Sequence, residues 1–151
     1  MSKIYSYNKK AKFDYEILDT YDAGIKLFGH EVKSVKKGSV SLQGAFVVIR
    51  GQEAYLTNVY IPPYQEGNLV SDYDSKRTRK LLLKKKQILE LQQKLQTRGL
   101  TLVPLKLYNM RGLIKLDIGL ARGKRKYDKR EVIKKREADR KIRKSLKNSK
   151  S

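Results

Sequence analysis

The sequence predicts a mainly β fold with α: a small antiparallel oligonucleotide-binding-like barrel with one long and one or two short helices, extended by a basic C-terminal tail. Three observations predict it. Several short segments alternate apolar and polar residues, the mark of half-buried strands. A stretch between two of them, residues 74–98, instead repeats its apolar residues at helical spacing. Residues 122–151 hold 15 Lys+Arg against 4 Asp+Glu and few large apolar side chains. That charge density repels itself, so the tail is expected to be disordered when free and helical when bound. The chain therefore divides into a basic N-terminal arm over 1–12, a barrel over 13–121 and the tail over 122–151.

In the arm, Tyr5 and Tyr7 interleave with lysines. Phe13, Tyr15 and Ile17 alternate with Asp14 and Glu16, a strand pattern, and Asp22-Ala-Gly24 supplies a turn. Val32 and Val35, closed by Gly38, suggest one or two helical turns. Residues 45–49 and 54–61 flank Gly51-Gln52 as a β-rich hairpin that Pro62-Pro63 ends. Asp74 or Ser75 can cap a long helix with Leu81, Ile88, Leu91 and Leu95 on one face and Gly99 after its last turn. Its other face carries Lys76, Arg77, Arg79, Lys80 and Lys84–Lys86 near the N-terminal end, where the helix dipole favours an anion. Residues 100–108 and 113–120 form a second hairpin turned at Asn109-Met-Arg-Gly112, with Ile114, Leu116, Ile118 and Leu120 inward, and Pro104 marks an edge or bulge. In the tail, Glu131/Lys135, Glu137/Lys141 and Asp139/Arg143 stand acid-first at i,i+4, each pair worth about 0.2–0.5 kcal/mol.

Charge narrows the function. The chain has 151 residues, 36 Lys+Arg against 15 Asp+Glu, a net of +21, and a pI near 10.1, which points to a polyanionic partner. No apolar run approaches the roughly 18 residues of a membrane-crossing helix and no signal-peptide core precedes the body, so a cytoplasmic location is expected. There is no cysteine and one histidine, His30, which leaves neither a disulfide nor a thiolate or histidine metal site. None of the phosphate-loop, dinucleotide, zinc-protease or nucleophile-elbow motifs occurs. The expectation is a non-enzymatic binding protein without cofactor or metal. From Arg122 to Arg130, six cations surround Asp128 and the single ring of Tyr127, a combination suited to a phosphate backbone with a base stacked on the aromatic.

Short blocks follow one another along the chain: Asn8-Lys-Lys-Ala, Tyr15, Asp22-Ala-Gly-Ile25, Gly29-His-Glu-Val-Lys-Ser34, Pro63-Tyr64 with Gly67-Asn68, Arg77-Thr-Arg-Lys-Leu-Leu-Leu83, Gly99-Leu-Thr-Leu-Val-Pro-Leu105, Gly119-Leu-Ala-Arg-Gly-Lys124 and Tyr127-Asp-Lys-Arg130. From about residue 8 to the end they closely resemble small protein B, the SsrA-binding protein family of bacterial trans-translation. The resemblance implies a monomeric barrel that binds the tRNA-like domain of one transfer-messenger RNA, delivers it to a stalled ribosome, and places its tail in the empty decoding centre and mRNA channel. It implies RNA-facing roles for Asn8, Tyr15, Asp22, Gly24, Leu82 and Lys84, with charge from Arg77, Arg79 and Lys80. In the tail it implies a flexible basic entry at Gly123 and Lys124, stacking of Tyr127 on decoding-centre RNA, and rRNA contacts from Lys126, Asp128, Lys129 and Arg130. Two residues depart from the family's usual pattern: Asp22 stands where glutamate is common and Lys84 where histidine or asparagine is common. Lys84 then suits phosphate better than a base edge. The reading from another class is a basic ribosomal protein acting as structural rRNA-binding module. The RNA that co-purifies separates the two.

Overall fold

Backbone pairing, more than local propensity, decides which apolar segments of this chain become strands. A computed structural model describes residues 3–64, 72–124, 136–138 and 140–141. In order, the elements are β1 (Ile4–Tyr7), α1 (Lys9–Asp14), β2 (Tyr15–Ile25), α2 (Gly29–Lys36), β3 (Phe46–Arg50), β4 (Glu53–Thr57), β5 (Arg79–Leu82), α3 (Lys85–Lys94), β6 (Leu100–Met110) and β7 (Leu113–Gly123). The strands form one antiparallel sheet in the order β1-β6-β7-β2-β5-β4-β3. Strand β3 lies against β6 without pairing to it, so the sheet curls into a barrel with one open seam.

Alternation along the strands fills the interior. Tyr21, Ala23, Ala54, Leu56, Leu81, Leu102, Leu107, Leu116, Ile118 and Leu120 point inward, joined by Val35 of α2 and Leu91 of α3. A second, smaller cluster of Ala11, Val103, Leu105 and Ala121, with Tyr15 and Ile17 against it, packs on the other side of the sheet beneath α1. That cluster needs Gly119, because a Cβ there would stand 3.1 Å from Leu105 Cδ1 and 3.3 Å from Ile17.

The second hairpin forms as the sequence predicts. Asn109 Oδ1 accepts the Gly112 amide at 2.9 Å, and Arg111 and Gly112 take φ of +52° and +82°, the left-handed pair of a tight hairpin turn. The register shifts between Pro104 and Lys106, a bulge where proline withholds its donor. The first hairpin forms too, with β4 ending at Thr57 because Asn58 turns left-handed at φ +65°.

Three expectations are corrected. The long helix from Asp74 or Ser75 is two elements. Asp74 Oδ1 accepts the Lys76 amide at 2.9 Å in a turn, residues 79–82 form β5, and only Lys85–Lys94 is helical. Leu81 is buried as an inward strand residue while Ile88 and Leu91 are buried from a helix, so one apolar spacing serves two periods. The turn at Asp22–Gly24 is uninterrupted strand, and the strand expected from Phe13 starts at Tyr15, after α1. Beyond these three, the N-terminal segment adds a strand that the sequence does not predict: β1 pairs with β6 through Ile4↔Tyr108 and Tyr7↔Lys106.

Candidate nucleic-acid interface

The pairing of β2 with β5 and β7 collects residues from distant parts of the chain on the sheet's outer face. Gly24 lies opposite Leu82 on one side and Lys115 on the other, and Asp22 lies opposite Asp117. Their neighbours Tyr21, Ala23, Leu81 and Leu116 are buried, so alternation sends Asp22, Gly24, Leu82, Lys115 and Asp117 outward. A Cβ on Gly24 would stand 3.2 Å from Leu82 Cβ; the missing side chain is what lets Leu82 lie flat across β2. Leu82 is 49% exposed, an apolar side chain on an otherwise polar face. Just beyond it, exposed Lys84 is the N-cap residue of α3, its amide donating to Gln87 Oε1 at 3.1 Å. No acid stands in the first turn of α3, where Lys85 and Lys86 follow, so the positive helix end and three lysines favour an anion there.

Asp22 is held from two sides. Tyr108 Oη donates to Asp22 Oδ1 at 2.6 Å, and Asp117 hydrogen-bonds it across the strands. Two carboxylates can share such a bond only when one carries a proton. Burial, then that bond, then the charge of Asp22 push the Asp117 carboxyl above its ordinary 3.8, against the pull of Lys106 and Lys12. The same burial and the Asp22 charge raise the Tyr108 phenol. Because the folded value exceeds the unfolded one, this pair stabilises the fold at low pH and loses that contribution as pH rises through the raised folded pKa. Asp117→Asn keeps a donor to Asp22 without needing a proton. It is expected to melt at or above the wild-type temperature at neutral pH and to flatten the dependence across the acid range. A clear loss at neutral pH would sink the shared-proton account.

The remaining body residues fall into three groups. Tyr15 is half-buried at the end of α1 and lines a cleft with Lys10, Asp14 and Phe46. Lys80 reaches Glu53 Oε1 at 2.8 Å from a partly exposed position. Asn8 and Arg79, expected at the RNA, are buried at 8% and 0% exposure. Asn8 is the N-cap of α1: its Oδ1 accepts the Ala11 amide at 3.3 Å and its Nδ2 donates to Pro104 O at 2.9 Å. Arg79 donates through Nε and Nη2 to Glu31 Oε2 at 3.0 and 2.5 Å, and through Nη1 to the carbonyls of Val59, Ser75 and Arg77. Both side chains are committed inside the protein.

Glu31 is the hub of that buried network. Its Oε1 accepts the Phe28 amide at 2.8 Å and Arg77 Nη2, and its Oε2 also receives Arg77 Nε at 3.2 Å. Burial would raise the Glu31 carboxyl, but bonds from Arg77, the Phe28 amide and Arg79 outweigh it and hold it at about 2. Tyr73 Oη stands 3.0 Å from Glu31 Oε2, and burial beside that carboxylate pushes its phenol up to about 12. Arg77 keeps a quarter of its side chain exposed and lays its guanidinium 3.9 Å from the Phe28 ring centroid.

At the other end of the body, Gly123 pairs with Tyr15 as the last residue of β7. The Lys124 amide donates to Asp14 O at 2.9 Å and its Nζ to Lys12 O at 3.0 Å. These two close the body instead of opening a flexible entry, because β7 runs on to meet the end of α1. Lys126, Tyr127, Asp128, Lys129 and Arg130 lie outside the described residues. Residues 136–138 and 140–141 are helical, with the Arg136 guanidinium 5.6 Å from the Phe13 ring centroid. Among the described residues no cluster of three metal-ligating side chains occurs and no helix is long and apolar enough to cross a membrane.

Tyr108, Asp117 and Lys115 escape sequence reasoning because only strand register brings them beside Asp22. The sole local hint is the outward Lys115 and Asp117 of the second hairpin. Comparison with known proteins agrees with the sheet and the motif blocks. The family model described as SmpB protein matches residues 5–148. The SsrA-binding protein of Streptococcus mutans is 51% identical over 144 residues, 95% of this chain and 92% of that protein. That of Enterococcus faecalis is 50% identical over 147 residues, covering 97% and 95%, and that of Trichodesmium erythraeum 47% over 145 residues, covering 96% and 93%. A chain of the solved structure described as "tmRNA-SmpB: a journey to the center of the bacterial ribosome" superposes with a TM-score of 0.66 at 48% identity, over 84% of this chain and 92% of that one. A family match that spans almost the whole sequence, with relatives near half identical from end to end, makes this chain a member of the SmpB protein family.

Proposed function

We propose that this protein is a non-enzymatic RNA-binding factor of trans-translation. It binds the tRNA-like domain of transfer-messenger RNA and brings it to stalled ribosomes in the cytoplasm, its tail entering the empty decoding centre. The observation that carries this reading is the end-to-end similarity to SsrA-binding proteins. The outer face of β2, β5 and β7 supports it with an arrangement suited to RNA: Asp22 accepts hydroxyl or amino donors, Leu82 and Gly24 give a flat apolar contact, and Lys84 meets phosphate. Tyr15 borders the same body, while Arg77 and Lys80 add charge. Asn8 and Arg79 act beneath the surface, fixing α1 and the β5 approach.

In the tail, Tyr127 supplies the stacking ring and Lys126, Asp128, Lys129 and Arg130 the polar contacts around it. Tyr127→Phe is expected to keep rescue in a peptidyl-transfer assay, and Tyr127→Ala to lower it by roughly 5- to 100-fold, the span of one base–aromatic stack. Equal activity of the alanine variant would remove the stacking role.

Affinity purification of the full chain from bacterial cells tests the whole reading. A single discrete transfer-messenger RNA in the eluate supports it. Stoichiometric recovery with every ribosome, without that RNA, would instead make the protein a structural rRNA-binding component.

A further inference from the structure

The sheet's outer face continues past Leu82. Lys26 follows Gly24, and its amide donates to Lys80 O at 2.9 Å; Lys80 lies opposite Tyr55, and Tyr55 opposite Val48. Leu81, Ala54, Leu56 and Val47 are buried, so Lys26, Lys80, Tyr55 and Val48 share the outward side. Two open pockets flank the Tyr55 ring. One, of about 650 Å³, lies between Phe28, Lys26 and Lys80; the other, of about 260 Å³, lies against Val48 and Arg50.

The rings are fixed in place. Tyr55 Oη donates to Glu53 Oε2 at 2.5 Å, and the other oxygen of the same carboxylate takes Lys80 Nζ at 2.8 Å. Phe28 is 53% exposed beneath the Arg77 guanidinium. The face thus offers two immobilised aromatic surfaces, room for a planar group on each side of Tyr55, and four cations: Lys80 and Arg77, paired with Glu53 and Glu31, and Lys26 and Arg50, which supply the net positive charge. A duplex is gripped through phosphate and sugar and has no use for such rings; unpaired bases do, because every base has a face to stack.

We propose that this groove across β2, β5, β4 and β3 holds a short unpaired segment of RNA, with bases stacked beside Tyr55 and Phe28 and phosphates on Lys26 and Arg50. The site deepens the RNA-binding function proposed above and rests on it, extending the interface by a face that the Asp22–Leu82–Lys84 patch does not reach.

The test uses the full chain, so that the tail is constant, and a fluorescent hexanucleotide carrying 4-thiouridine, at fixed salt. Wild type is expected to bind it and to cross-link at peptides containing Tyr55 or Phe28. Tyr55→Ala and Phe28→Ala are each expected to weaken binding by roughly 5- to 100-fold, as loss of one stack does, while Tyr55→Phe retains it. Melting curves check that the surface variants stay folded. Absence of hexanucleotide binding, cross-links confined to the tail, or unchanged affinity of both alanine variants would overturn the groove. A folded tRNA-like transcript measured in parallel separates the two claims: if wild type binds the transcript and only the groove results fail, the groove alone is wrong. If the transcript is not bound at all, the RNA-delivery function fails with it.

Discussion

Replacing Arg79 by alanine is expected to destabilise the protein by about 3–5 kcal/mol, the range for removing one partner of a buried ion pair. Arg79 is fully buried, and its five donors satisfy Glu31 Oε2, Tyr73 Oη and three backbone carbonyls. Its loss leaves the Glu31 carboxylate short of charge compensation inside the fold and takes a donor from the carbonyls of Val59, Ser75 and Arg77 around the approach to β5. Lys80→Ala, which breaks the exposed, solvent-screened pair with Glu53, is expected to leave stability nearly unchanged. Urea unfolding of the two variants side by side decides the matter. Comparable losses would mean that the buried network is not what fixes β5.

The same network sets the acid limit. Glu31 is held at about 2 against an ordinary 4.5, so its contribution is complete above about pH 4.5 and is lost as pH falls through about 2. The gap corresponds to about 3 kcal/mol at neutral pH. In Glu31→Gln the stability should vary less across that window than in wild type.

What the sequence revealed depended on how local each cause was. The turn at Asn109–Gly112 and the bulge at Pro104 were legible because a left-handed pair and a missing donor act within a few residues. Arg79 was misplaced for the opposite reason. Its neighbours Leu81, Ile88 and Leu91 fit one helical face, and only the pairing of β5 with β2 and β4, which no local period reports, makes residues 79–82 a strand. Reading Arg79 as a surface cation followed from that helix; on a strand beside inward Leu81 it faces the interior, where Glu31 waits from α2. Asp22, Gly24 and Leu82 were reached through the motif blocks, but Asp117 and Tyr108 carried no such mark. Their relation to Asp22 exists only as strand register, and Phe28 and Tyr55 are ordinary apolar strand and cap residues until β4 and β5 set them beside Lys26 and Lys80.

Removing residues 125–151 is expected to leave binding of the tRNA-like RNA largely intact and to abolish rescue in a peptidyl-transfer assay. The cut belongs after Lys124, since β7 pairs through Gly123 with Tyr15 and Lys124 is bonded to α1; a cut at Arg122 would damage the body and confuse the result. The deleted segment carries 13 Lys+Arg against 4 Asp+Glu, so it adds sequence-independent attraction to any RNA, and the comparison must be made across a salt series. Each lost phosphate contact flattens the dependence of log affinity on log salt by about 0.7–0.9. The truncated protein should therefore show a shallower slope and an affinity that converges on that of the full chain as salt rises, because the base and 2′-hydroxyl contacts proposed for Asp22, Gly24 and Leu82 would release few counterions. A loss of affinity that persists at high salt would place the tRNA-like RNA on the tail and remove the separation of roles. Rescue that survives the cut would overturn the decoding-centre function proposed for the segment around Tyr127 while sparing the interface proposed for the body.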